Sequence, residues 1–102
     1  MAAVVTVFRS RLRHDPVGYD DTAEEMEAAA RAMPGFVDFK TFRADDGERV
    51  SIIEFETEAA VDAWREHPEH RKAQAAGRDR FYAEYDIKVC TPLRGHVFRA
   101  GA

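Results

Sequence analysis

A single cysteine, Cys90, stands among the 102 residues, so no disulfide can form within the chain. No CxxC pair accompanies it, which removes the usual signature of structural zinc. Long apolar runs are missing too. The opening "MAAVVTVF" is cut off by Arg9 and is too short for a signal peptide. Nothing approaches the roughly twenty apolar residues of a membrane span. Positive charge is scarce relative to negative: the net charge of −4 gives no broad field for phosphates. The run Arg9-Ser10-Arg11-Leu12-Arg13 is basic, but its charges alternate as one face of a strand, which reads as a solvated or ion-paired face. These absences point to a cytoplasmic protein with neither nucleic acid nor membrane as partner.

What is present is an ordinary globular composition, 45% hydrophobic and 33% charged. The length suits one domain over residues 1–102, large enough to bury about two-thirds of its unfolded surface. Periodicity changes repeatedly along it. Residues 3–13 form a β-branched and aromatic run that predicts a strand, ended by His14-Asp15-Pro16. From Tyr19 the apolar positions Tyr19, Ala23, Met26, Ala30 and Met33 fall on one helical face. Thr22 and Glu25 fit a capping box, Pro16 offers an earlier start, and Pro34-Gly35 is the stop. Phe36 to Phe42 and Val50 to Phe55 read as strands, joined by "RADDGER" with the Asp-Gly signal of a hairpin. Thr57 is the expected N-cap of a second helix, whose stripe is Ala60, Val61 and Trp64. Pro68 interrupts that helix and begins a further helical piece, residues 68–78. Phe81, Ala83, Tyr85, Ile87 and Val89 then alternate with Tyr82, Glu84, Asp86, Lys88 and Cys90, a strand with one apolar face.

The order strand, helix, strand, strand, helix, strand is the ferredoxin-like split βαβ arrangement: α+β, an antiparallel sheet with helices on one side. Helices cover only one sheet face, yet both carry apolar residues. Val5 and Val7 oppose Val4, Phe8 and Leu12; Val37 and Phe39 oppose Phe36 and Phe42; Val50 and Ile52 oppose Ile53 and Phe55. A second copy of the sheet is the simplest cover, which predicts a homodimer. The tail, residues 91–102, holds Leu93, Val97 and Phe98 and reads either as a frayed end or as a segment crossing to the partner.

The element order, "MPGFVDFKTF" after the first helix, "ERVSIIEFETEAAVDAW" into the second, and "WREHPEH" with "FYAEYDIKVC" together resemble the antibiotic biosynthesis monooxygenase family over residues 3–92. The resemblance implies a dimeric α+β barrel. The family includes cofactor-independent oxygenases of quinols and aromatic polyketides, haem-degrading enzymes and members without an assigned reaction. It therefore constrains architecture better than chemistry.

Within "WREHPEH", His67 and His70 lack an obvious third ligand, so no metal is expected. Trp64 shares its helix face with Ala60 and Val61 and should point toward the sheet; in the family, a tryptophan here often lines the cavity between helices and sheet. His67 is expected at the helix break, exposed. His70 lies on a stripe with Ala73, Gln74, Gly77 and Phe81 that should face inward, which makes it the best catalytic candidate. Cofactor-free oxygenation needs an apolar cavity, a base for a phenolic proton and donors for the resulting anion. A histidine suits the proton transfer. Trp64 offers a flat wall, and Tyr82, Tyr85, Arg9 and Arg80 are candidate donors for a small aromatic or quinol substrate that reacts with O2.

The chain departs from better-defined members. The asparagine that stands four residues before the tryptophan in polyketide-oxidising members is Ala60 here, and the tyrosine six residues after it is His70. The histidine of haem-degrading members, ten residues beyond the tryptophan, is Gln74, and no asparagine occurs anywhere. Three readings follow: an oxygenase of a small aromatic or quinol without a cofactor, a haem-binding or haem-degrading protein with His70 as displaced ligand, and a non-catalytic dimeric small-molecule-binding domain.

Overall fold

Alternating β-branched and aromatic residues set four strands, apolar stripes set the first two helices between them, and Pro68 starts a third. In the computed structural model, which describes residues 3–101, the chain runs β1 (Val4–Leu12), α1 (Tyr19–Arg31), β2 (Phe36–Arg43), β3 (Arg49–Phe55), α2 (Glu58–Glu66), α3 (Pro68–Ala76), a π turn (Gly77–Phe81) and β4 (Tyr82–Cys90). The sheet order is β2-β3-β1-β4, antiparallel throughout. This is the expected ferredoxin-like α+β arrangement.

The core lies between the sheet and the helices. Val4, Phe39, Ile53 and Phe55 from the strands pack with Ala30 of α1 and with Val61 and Trp64 of α2. Burial of such side chains contributes roughly 1.5–3 kcal/mol each. The β2–β3 hairpin turns through Asp45-Asp46-Gly47, where Gly47 takes a φ of 91° that side-chain-bearing residues disfavour. Ala44 N–H donates to the Glu48 carbonyl at 2.8 Å and closes the turn.

Three local features differ from expectation. First, α1 begins at Tyr19, with Gly18 as its N-cap at a φ of 85° that glycine tolerates. Thr22 lies inside the helix, its N–H donating to the Gly18 carbonyl, so no capping box forms there. Pro16 instead closes the preceding turn, its carbonyl accepting from Tyr19 N–H at 3.1 Å. Second, the β2–β3 register shifts between Phe36 and Asp38. Phe36 and Phe39 therefore share the core face opposite Phe55 and Ile53, while Val37 and Phe42 stay exposed. Third, Phe81 belongs to the π turn, not to the last strand, and is almost fully buried.

The arginines of β1 answer to partners within the chain. Arg9 holds Glu48 through two hydrogen bonds of 3.0 and 2.9 Å, and Arg11 holds Asp46 at 2.8 Å and Glu84 at 3.5 Å. Among the described residues no helix is long and apolar enough to cross a membrane.

Candidate active site

Thr57 starts α2 as its N-cap, its hydroxyl accepting from Ala60 N–H at 3.1 Å. Val61 and Trp64 follow one turn apart on the inward face, and Trp64 is only 5% exposed. His67 then takes extended backbone angles, φ −62° and ψ 134°, as required before a proline. It is half-buried, not exposed as expected, and has a structural task. Its Nδ1 accepts from Glu69 N–H at 3.1 Å and so caps α3. Pro68 occupies the first turn of α3, where its missing N–H costs nothing.

This break turns the chain so that His70 comes back onto Trp64. Their ring centroids lie 4.8 Å apart at an interplanar angle of 49°. His70 Nδ1 is 3.3 Å from the Arg65 carbonyl oxygen. A carbonyl can only accept, so this contact places the proton on Nδ1 and leaves Nε2 of the neutral ring as a free acceptor. Burial lowers the His70 pKa below the ordinary 6.5; the bond to the Arg65 carbonyl opposes the shift, and the charges of His67 and Arg65 add to it. At neutral pH the ring is an uncharged base.

Trp64 and His70 border a cavity of about 220 Å3 between helices and sheet. An apolar cavity of roughly 150 Å3 already admits benzene, so this volume suits one substituted ring. Its walls are largely apolar: Phe8 of β1, Met26 of α1, Ile53 of β3, and Ile87 and Val89 of β4. Thr6 and Gln74 add a hydroxyl and an amide.

Both candidate tyrosines reach this cavity, and a bulge explains how. The β1–β4 register shifts between Arg11 and Leu12, so that Leu12 pairs with Tyr82 and Arg11 with Glu84. Strict alternation would set Tyr82 and Tyr85 on opposite faces; the bulge at Ala83 sets them on the same one, ring centroids 5.8 Å apart. Burial, then the neighbouring Tyr19, pushes the Tyr82 phenol well above the ordinary range, so it stays a neutral hydrogen-bond donor. The other two candidates go elsewhere. Arg9 points from the helix-free sheet face, opposite Phe8, and is occupied by Glu48. Arg80 stands on the π turn, its guanidinium 5.2 Å from the Phe81 ring, and borders a separate small cleft between α1 and α3.

Arg13, not among the candidates named from the sequence, has a task at this site. Its N–H groups donate to the carbonyls of Tyr82 at 2.9 Å, Asp79 at 3.0 Å and Arg78 at 2.8 Å. One guanidinium thus clamps the end of the π turn and fixes where β4 presents Tyr82. Gly77 matters for the same ring: a Cβ there would meet Tyr82 Cε2 at 2.7 Å. Nothing local in the sequence marks either role, since both depend on chain segments more than sixty residues apart or on the π turn itself. Among the described residues, no group of three His, Cys, Asp or Glu side chains lies close enough to hold a metal ion.

Comparison with known proteins places this geometry in a family. The antibiotic biosynthesis monooxygenase pattern matches residues 18–76. An uncharacterised Bacillus subtilis protein, YqjZ, is 31% identical over 93 residues, covering 91% of this chain and 82% of its own. The structure of Rv0793 from Mycobacterium tuberculosis superposes with a TM-score of 0.82 at 21% identity, over 93% of this chain and 99% of that one. SnoaB, a cofactor-independent oxygenase from Streptomyces nogalater, gives a TM-score of 0.75 at 19% identity, over 95% of this chain and 98% of its own. At such identities the solved structures speak for the fold alone, and the matched pattern together with the YqjZ likeness speaks for descent. The chain belongs to the antibiotic biosynthesis monooxygenase family.

Proposed function

We propose that this protein is a cofactor-independent oxygenase of a small phenol or quinol, and that it works as a homodimer. The observation that carries the reading is His70. It is a half-buried neutral imidazole with Nδ1 bonded to a backbone carbonyl, set 4.8 Å from an indole on the rim of an apolar cavity. Nε2 takes the phenolic proton, which leaves an electron-rich anion held beside the neutral donors Tyr82 and Thr6. The anion transfers an electron to O2, and the resulting pair combines at a ring carbon to give a peroxide. His70 returns its proton to the peroxide. Cleavage of the O–O bond releases water and leaves one oxygen on the ring as a carbonyl. For a naphthol the sum is naphthol plus O2 giving quinone plus water, so atoms and electrons balance without an added reductant. The mostly apolar lining gives competing water few polar partners on the helix side, while Ile87 and Val89 on β4 stay open to solvent in the single chain. SnoaB, a cofactor-independent oxygenase, shows that this fold can host the reaction class.

The test is oxygen uptake by chelator-treated protein with a panel of hydroquinones and naphthols. Consumption that depends on the protein, with quinone appearing, is expected for at least one member. No uptake across the panel overturns the reading. So does a haem Soret shift that comes with haem turnover, which would make His70 an iron ligand.

A further inference from the structure

A second cavity, of about 390 Å3, opens between α1 and the sheet next to the first. The two share walls: Phe8, Met26, Phe39, Ile53, Ala73 and Tyr82 border both. Their chemistry differs. The second contains Arg49, at the start of β3, together with the hydroxyls of Thr41 and Ser51, which are bonded to each other at 2.7 Å. Arg49 lies with its guanidinium carbon 5.4 Å from the centre of the Tyr19 ring. Its Nε is cut off from solvent and has no hydrogen-bond partner, and among the described residues no carboxylate lies within ion-pair distance of it. Arg49 as a whole is half-buried, but a buried N–H without an acceptor is rare in a folded protein and marks a place where an acceptor is missing.

We propose that Arg49 is the anion-binding group of the substrate site, and that the substrate is a hydroxylated aromatic acid. Its ring lies in the apolar cavity with the hydroxyl toward His70, and its carboxylate reaches through the shared opening to Arg49. This rests on the reading of the Trp64–His70 cavity as an aromatic site. A carboxylate matches the planar fork of a guanidinium, which gives both charge and direction. Asp20, Glu24 and Glu27 also line the second cavity and oppose an anion. Asp20 and Glu24 are exposed and screened by water, and Glu27 is bonded to Arg31 at 2.9 Å, whereas Arg49 Nε is dry. The guanidinium is therefore the stronger of the opposing influences. Selection by such a group is steep, because a ligand lacking the acid leaves the buried donor unpaired.

The discriminating pair of probes is 2-naphthol and 6-hydroxy-2-naphthoate, the same hydroxylated ring without and with a distant carboxylate. Binding is measured by calorimetry under nitrogen, so that no turnover intervenes. The wild-type protein should bind the naphthoate roughly tenfold or more tightly than the naphthol. Arg49→Gln should bring the two affinities within about threefold by weakening only the naphthoate, and Arg49→Lys should retain part of the preference. Equal binding of the two probes by the wild type overturns the proposal and needs no variant to do so. A preference that survives in Arg49→Gln also overturns it. If the naphthol itself fails to bind, the aromatic cavity is misread and both conclusions fall; if it binds without discrimination, only the acid-binding role falls.

Discussion

His70 and Trp64 were legible because helix periodicity is regular enough to place an inward stripe across a proline break. The stripe His70, Ala73, Gln74 does line the cavity, with Gly77 and Phe81 buried beyond it. Arg9 was a poor candidate on the same logic, since alternation along β1 already sets it opposite Phe8. The fold favours the neutral His70 ring, so its folded pKa lies below the unfolded 6.5. Its contribution to stability is present above pH 6.5 and is lost as pH falls from there toward the folded value, where the unfolded chain binds the extra proton. The acid limb of kcat/KM should therefore turn below pH 6.5 and disappear in His70→Gln; a limb centred above 6.5 would assign it to another group. Trp64 carries a larger structural burden. Trp64→Ala should lose about 3–5 kcal/mol in denaturant melts, while Trp64→Phe should fold. A Trp64→Ala variant as stable as wild type would mean that the indole is not core.

Among the elements, those with unbroken periods were legible and those with bulges were not. A single inserted residue reverses side-chain parity, which is why Tyr82 joined Tyr85 and Phe36 joined Phe39 against expectation. The π turn is the least legible element, because its five residues carry no periodic signal and the Arg13 clamp comes from the residue just after β1. Such turns occur often at functional sites. Here the turn delivers Tyr82 to the cavity and forces Gly77 against its ring. Gly77→Ala should cost roughly 1–3 kcal/mol by overpacking and should shift the Tyr82 ring resonances in NMR spectra. Unchanged stability together with unmoved Tyr82 resonances would contradict that close approach. The same geometry makes Arg13→Ala a quieter version of the change, with three carbonyls losing their donor at once.

At the scale of the molecule, the helix-free sheet face still shows Val5, Val7, Val50 and Ile52, with Phe42 50% exposed. The edge strand β4 leaves Ile87 and Val89 uncovered on the other side, and Leu93, Val97 and Phe98 of the tail stand in solvent. This much unpartnered apolar surface favours association. Sedimentation should give a dimer at micromolar concentration, and a stable monomer there would contradict the assembly proposed. The central claim, however, is that His70 is the base of an oxygen-consuming site. The most direct measurement is protein-dependent O2 uptake by wild type and His70→Ala side by side, each normalised to folded protein by its melting curve. The account predicts a loss of roughly 100-fold or more in the variant with the melt nearly unchanged. Equal uptake per folded molecule would contradict it.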